Sequence, residues 1–287
     1  MKKPEYLTKE NLEHFIKNAL LEDIQDGDHS TLSTIPENLQ QSAKLLVKEN
    51  CILAGVEMAE VIFKTFDENL EIERFLKDGD QAKVGDIAFI VKGSARSILS
   101  TERLVLNCMQ RMSGIATLTH EWDSRLIGSK TKLLDTRKTT PNFRICEKWA
   151  VAIGGGTNHR YGLYDMIMLK DNHIDYNGSI TNAVKMAKDY VENLGKDLKI
   201  EVETRNLDEV KEALEAGADR IMLDNMNVET MTKAVQMVGG KCETEASGGI
   251  TRDMLKEIAG TGVTYISAGA LTHSAKNIDL SLKAVKN

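Results

Sequence analysis

Residues 198–269 read LKIEVETRNLDEVKEALEAGADRIMLDNMNVETMTKAVQMVGGKCETEASGGITRDMLKEIAGTGVTYISAG. Short apolar runs at 198–202, 220–223, 242–245 and 264–266 have strand character, and the stretches between them carry helical periodicity. The runs lead into Glu203, Asp224, Ser247-Gly248-Gly249 and Ser267-Ala268-Gly269, positions separated by 21, 23 and 20 residues. One strand, one helix and two short loops fill such a repeat, and strands alternating with helices predict a parallel sheet. In a β/α barrel the functional groups collect at the C-terminal strand ends, where these polar groups fall.

Upstream, 132–134 and 166–169 have the same character, giving about six strands. The expectation is an α/β fold with an incomplete parallel barrel; a doubly wound open sheet is the alternative. Before residue 130 the pattern differs. Thr8 can cap a helix with Leu12, Phe15, Ile16, Ala19 and Leu20 on one face, and Asp26-Gly27-Asp28 ends it. Strands are expected at 42–54 and 70–92, with a helix carrying Val56, Ala59, Ile62, Phe63 and Phe66 between them. A long helix over 97–126 follows, with a break expected near Ser113-Gly114. This part reads as a small α/β domain.

The 287 residues include 41% hydrophobic and 28% charged side chains, the balance of a globular enzyme rather than a disordered chain. A net charge of -6 argues against nucleic acid as the main partner, so any cationic site is local. No run approaches the roughly 20 apolar residues of a membrane span, and a cytoplasmic location is expected. Cys51, Cys108, Cys146 and Cys242 form no CxxC pair and read as reduced core thiols.

Four groups of residues carry chemistry. Asp135-Thr136-Arg137-Lys138-Thr139-Thr140-Pro141 follows the first barrel strand, and its guanidinium and ammonium suit carboxylates or phosphate. Gly154-Gly155-Gly156-Thr157-Asn158-His159-Arg160 precedes the next strand, which ends in Lys170-Asp171-Asn172-His173. The glycines allow close approach to a ligand, and Lys170, leaving a buried strand, is expected in a partly desolvated pocket. Glu203 and Asp224 end neighbouring strands and suit a hard cation such as Mg2+. Ser247-Gly248-Gly249, with Thr251 as a helix cap, and Gly269-Ala270-Leu271-Thr272-His273-Ser274 are the glycine loops of a phosphate site. A phosphorylated sugar pyrophosphate meeting an acidic co-substrate would use all four.

The motifs DTRKTTP, GGGTNHRYGLYDMIMLKDNHI, EVE, LDN, EASGGI and GALTHS occur in this order from Asp135 to Ser274. In them the chain closely resembles the quinolinate phosphoribosyltransferase family, and LLEDIQDGDHST and TERLVLNCMQRMSGIAT extend the likeness over nearly its whole length. The resemblance implies an N-terminal α/β sandwich at 1–113, rejoined by 274–287, and an α/β barrel at 114–273. It implies transfer of phosphoribose from 5-phosphoribosyl-1-pyrophosphate to quinolinate with decarboxylation, in a dimer whose Arg103 enters the neighbouring subunit's site. By the same resemblance Arg137, His159, Arg160, Lys170 and the second copy's Arg103 hold the quinolinate carboxylates. Lys138, Glu203, Asp224, Ser247, Gly248, Gly249, Ser267, Gly269 and His273 hold the phosphoribosyl pyrophosphate, with Glu203 and Asp224 also engaging its Mg2+. Lys138, Lys170, Glu203 and Asp224 are the expected catalytic groups; Asp171 and His173 line the site.

Asn142-Phe143 stands where the family commonly has Gly-Leu, and asparagine tolerates the left-handed backbone that such a loop needs. Rival readings are a phosphoribosyltransferase for another carboxylate, a Schiff-base aldolase using Lys170, and a non-enzymatic carboxylate-binding barrel.

Overall fold

The computed structural model describes residues 4–285. They form two compact units: one takes the chain up to His120, Thr139–Gly155 and everything from Leu271 on, and the other takes Glu121–Lys138 and Gly156–Ala270. The first part of the chain runs through α1 (Lys9–Ile24), α2 (His29–Thr34), β1 (Gln40–Val47), β2 (Cys51–Ile52), α3 (Val56–Phe66), β3 (Glu71–Arg74), β4 (Gln81–Ala82), β5 (Ile87–Ser94) and α4 (Ala95–Asp123). After it come β6 (Lys132–Leu134), α5 (Arg144–Ile153), β7 (Ile167–Leu169), α6 (Asp171–Asn177), α7 (Ile180–Leu194), β8 (Ile200–Thr204), α8 (Leu207–Ala216), β9 (Arg220–Asp224), α9 (Val228–Val238), β10 (Glu243–Ser247), α10 (Leu255–Gly260), β11 (Tyr265–Ser267), α11 (Ala270–His273) and β12 (Leu280–Ala284).

In the first unit an antiparallel sheet has the order β12-β1-β5-β3. Along β1 the residues Ala43, Leu45 and Val47 are buried and their neighbours are not, the period-two pattern of a sheet with one covered face. The apolar stripe of α3 (Val56, Ala59, Ile62, Phe63) is buried, and Phe63 meets Phe89 of β5 edge to face at 6.0 Å. The C-terminal β12 pairs antiparallel with β1, burying Leu280 and Leu282.

Two expectations change here. The 70–92 stretch is β3, β4 and β5 separated by turns, with Gly79 and Gly85 at φ of 92° and 96°. The break near Ser113-Gly114 does not exist: α4 runs straight through it. The Ser113 hydroxyl accepts the Ala54 amide at 3.0 Å and donates to the Ala54 carbonyl at 3.1 Å, and a Cβ on Gly114 would collide with the Lys276 carbonyl. These small residues admit neighbouring backbone to the helix surface.

In the second unit a parallel sheet has the order β6-β11-β10-β9-β8-β7. The first strand lies beside the last while the others follow in sequence, which is barrel winding, without the reversal of a doubly wound sheet. Among the described residues β6 and β7 do not pair, so the barrel is incomplete at that seam. The open edge of β6 takes up one further residue, Thr157, bridged in parallel to Leu134. The helices are set by local chemistry: Ser179, Asn206 and Asn227 cap α7, α8 and α9 by accepting the amides of Asn182, Glu209 and Thr230. Each such cap is worth about 1 kcal/mol. Gly195, Gly217 and Gly239, all left-handed, end the same three helices.

Candidate active site

The strand registers put Glu201 opposite Arg220, Glu203 opposite Met222, Glu245 opposite Met222 and Ser247 opposite Asp224. Since side chains alternate along a strand, these residues share one face, with Asp224 two positions beyond Met222. That face carries charge, and its charged groups are paired inside it. His159 Nε2 lies 3.1 Å from Glu201 Oε2 and 3.2 Å from Glu245 Oε2, with both glutamates fully buried. Arg220 reaches Glu245 at 3.2 Å and Glu243 at 3.0 Å while stacking 4.2 Å over the Tyr265 ring. Burial, then the facing Glu245, raise the Glu201 carboxyl above its ordinary value. Burial acts the same way on Glu245, but His159, Ser267 and Arg220 outweigh it and leave that carboxyl lowered.

His159 is placed from β6. Thr157 donates to Leu133 O at 2.8 Å, and the buried Asp135 carboxylate accepts the His159 amide at 2.8 Å and Asn158 Nδ2 at 2.7 Å. Thr157 bridges in parallel to Leu134 on that edge, two residues before the histidine. On the ring, Nδ1 accepts the Arg160 amide at 2.6 Å, which suits the Nε2–H tautomer, and a second proton requires that amide to swing away. Burial opposes the second proton, yet the hydrogen bonds and charges of Glu201 and Glu245 win and raise the ring to about 9. His159, Glu201 and Glu245 are close enough to hold a metal ion, but the Arg220 guanidinium already supplies positive charge there.

Arg160, half-buried, donates to Met166 O at 3.2 Å; burial and then the neighbouring Arg137 charge push its guanidinium below the ordinary value. Arg137 is half-buried and Lys138 exposed at the end of β6. Arg137 is near enough for its charge to act on Arg160, whose amide rests on the His159 ring. Lys170 differs from expectation: its side chain is 48% exposed and pairs with Glu203 at 3.0 Å, because β7 stops at Leu169 and Lys170 is the extended N-cap residue before α6. His173 closes that turn by accepting the Lys170 amide at 3.0 Å, and Asp171 is exposed.

At the neighbouring strand ends, Asp224 accepts Asn225 Nδ2 at 2.7 Å. Gly248 and Gly249 have φ of 96° and 56°, and a Cβ on Gly248 would fall 2.3 Å from Asn225 Oδ1. Ser247, ending β10, is half-buried, Ser267, ending β11, is buried, and Gly269 in the turn after it is half-buried. Thr251 stands at the start of a short 3-10 turn over Arg252–Met254, but its side chain caps nothing, contrary to expectation. Arg103 and His273 belong to the first unit, Arg103 exposed on α4 and His273 exposed at the end of α11 with its Nδ1 2.7 Å from Ser274 Oγ. Asn142 has φ of 62°, the left-handed conformation expected of it. Gly154 has a packing reason: a Cβ there would come within 2.5 Å of the Ala116 carbonyl on α4.

Comparison with known proteins sets these features in a family. Residues 28–113 match the model of the quinolinate phosphoribosyl transferase N-terminal domain, and 115–283 match that of the C-terminal domain. The chain belongs to the quinolinate phosphoribosyltransferase family. The chloroplastic nicotinate-nucleotide pyrophosphorylase [carboxylating] of Oryza sativa is 47% identical, over 95% of this chain and 77% of the relative. A probable nicotinate-nucleotide pyrophosphorylase [carboxylating] of Bacillus subtilis is 44% identical, over 94% and 92%. The crystal structure of NadC from Streptococcus pyogenes superposes with a TM-score of 0.90 at 39% identity, covering 98% of this chain and 99% of that one. Within the family frame, sequence reasoning missed Glu245 and Arg220. Their signal was charged residues at inward-facing positions of apolar strands.

Proposed function

We propose that this enzyme transfers phosphoribose from 5-phosphoribosyl-1-pyrophosphate to the ring nitrogen of quinolinate. Pyrophosphate and carbon dioxide leave, and the product is nicotinate mononucleotide, a precursor of NAD. The observation that carries the reading is His159 seated on Glu201 of β8 and Glu245 of β10, with Arg160 next to it and the Arg137 charge acting on Arg160, on the strand face whose ends bear Glu203 and Asp224. Two adjacent guanidiniums repel one another unless an anion lies between them, and a dicarboxylate supplies two charges.

In this reading Arg137, His159, Arg160 and Lys170 hold the quinolinate carboxylates, joined by Arg103 of a second copy in a homodimer. Lys138 and His273 meet the phosphoribosyl pyrophosphate, and its 5-phosphate sits on Ser247, Gly248, Gly249, Ser267 and Gly269. The positive φ of both loop glycines supports that cradle. Glu203 and Asp224 offer hard oxygen donors on one face of adjacent strands, a set that fits Mg2+. They would hold the ion, which supplies charge neutralisation of the pyrophosphate when bound.

Pyrophosphate departure leaves positive charge on the ribose, and Glu203 and Asp224 are placed to oppose it. Positioning and electrostatics then supply the catalysis, with no protein nucleophile. Lys170, exposed and paired with Glu203, offers nothing to a Schiff-base reading. Once the ring nitrogen is alkylated, its positive charge stabilises the carbanion left at the adjacent carbon by carbon dioxide loss, and that carbon then takes up a proton from water. We place the enzyme in the cytoplasm, supported by its four free thiols; no helix among the described residues is long and apolar enough to cross a membrane. The test is pyrophosphate release with quinolinate against nicotinate as acceptor. Release with quinolinate alone is expected, and equal release with nicotinate would refute the assignment of the acceptor.

A further inference from the structure

The barrel interior buries more charge than its fold needs. Glu201 and Glu245 are fully buried, Arg220 is 6% exposed and His159 7%. Placing such groups in a protein interior costs several kcal/mol per ion, and well-packed apolar side chains would serve stability as well or better. A stable barrel therefore gives no reason for them. Their geometry does: everything in the cluster converges on one imidazole. Glu201 from β8 and Glu245 from β10 approach Nε2 from two strands, at 3.1 and 3.2 Å. Arg220, from the strand between, donates to the same Glu245 oxygen at 3.2 Å and lies 4.0 Å from the same Glu201 oxygen. Arg220 is itself fixed by Glu243 at 3.0 Å and by the Tyr265 ring. From the opposite side Asp135 holds the His159 backbone amide at 2.8 Å.

We propose that Glu201, Glu245 and Arg220 are positioning residues for acid binding: they clamp the His159 ring in one orientation beside Arg160, so that the cationic surface facing the dicarboxylate is fixed before the substrate arrives. The inference rests on the assignment of His159 and Arg160 to the quinolinate carboxylates. Its chemistry is pre-organisation. A ring held by two buried carboxylates has little freedom left to lose on binding, and the adjoining Arg160 amide, which rests on Nδ1, shares that order. Without Glu245 the ring loses one of its two carboxylates and Arg220 loses the partner it shares with His159.

The test uses the full-length enzyme and the variants Glu245→Gln and Arg220→Lys, which keep size or charge, with Glu201→Gln in reserve should either fail to fold. Calorimetric titration with quinolinate needs no turnover, and the expected result is binding about tenfold weaker or worse in each folded variant. In Arg220→Lys the KM for phosphoribosyl pyrophosphate should stay within about threefold of the parent, because Arg220 meets Glu201, Glu243, Glu245 and Tyr265 and none of the residues assigned to the phosphate, whereas Glu245 also meets Ser267. Nitrogen NMR of selectively labelled histidine, with the His159 signals assigned by a His159→Gln variant, should show the His159 ring nitrogens shifted in Glu245→Gln. Unchanged quinolinate affinity in a folded variant, an unchanged His159 signal, or equal losses for both substrates in Arg220→Lys would overturn the proposal. A parent enzyme that neither binds quinolinate nor releases pyrophosphate would instead overturn the functional assignment beneath it.

Discussion

Arg111 and Glu147 form a pair in which Nε and Nη2 lie 3.2 and 3.1 Å from one carboxylate oxygen, with Glu147 fully buried. The same carboxylate accepts the Thr140 amide at 3.0 Å and the Thr140 hydroxyl at 3.1 Å. Arg111 also donates to the carbonyls of Thr272 and, at 2.7 Å, Ala275. The pair thus anchors the segment that follows Lys138 and the residues on either side of His273.

Removing Glu147 takes a buried carboxylate from Arg111 and the acceptor from the Thr140 amide and hydroxyl, so Glu147→Ala should lose about 3 kcal/mol of stability. Urea unfolding would measure the loss. Because both anchored segments adjoin residues assigned to the phosphoribosyl pyrophosphate, its KM should rise more than that of quinolinate.

His159 makes stability depend on pH. Its folded value, about 9, lies above the ordinary 6.5, so its contribution is complete below about pH 6.5 and is lost as pH rises through about 9. The shift corresponds to about 3 kcal/mol in order of magnitude. Unfolding measured across this range should show a decline that His159→Gln lacks, and the ring should titrate by NMR near 9.

Gly248→Ala puts a Cβ where Asn225 Oδ1 lies and forces φ of 96° on a side-chain-bearing residue. The expected cost is about 1 to 3 kcal/mol, felt as at least a tenfold rise in the KM for phosphoribosyl pyrophosphate. Steady-state kinetics with each substrate varied in turn separates this from a general loss.

A homodimer sharing Arg103 predicts complementation. Arg103→Ala and Lys170→Ala enzymes, each inactive alone, should regain part of the parent activity when mixed as heterodimers, since one of the two sites then carries both wild-type residues. No recovery in verified heterodimers would count against a shared site.

The barrel was legible because its middle strand–helix repeats carry their own local signals: apolar strand, Asn or Ser cap, amphipathic helix, left-handed glycine. The positions of Glu203, Asp224 and the glycine loops followed from strand ends. What could not be read is pairing across strands. Glu201, Arg220, Glu243 and Glu245 each look like a lone charge in sequence, and only the parallel register makes them one cluster around His159. Lys170 illustrates the same limit, since the carboxylate it pairs with, on Glu203, lies 33 residues on. Ser113-Gly114 failed differently: turn-forming composition also serves close packing, and the distinction lies in a neighbouring backbone far along the chain.

In the proposed reaction one barrel binds a pyridine dicarboxylate and a sugar pyrophosphate and couples transfer to decarboxylation. The direct measurement is turnover of quinolinate carbon-labelled at its 2-carboxylate, with phosphoribosyl pyrophosphate and Mg2+, counting all three products. Equal amounts of pyrophosphate, labelled carbon dioxide and nicotinate mononucleotide are predicted, with none from nicotinate. Pyrophosphate release without labelled carbon dioxide, or product formed from nicotinate, would contradict it.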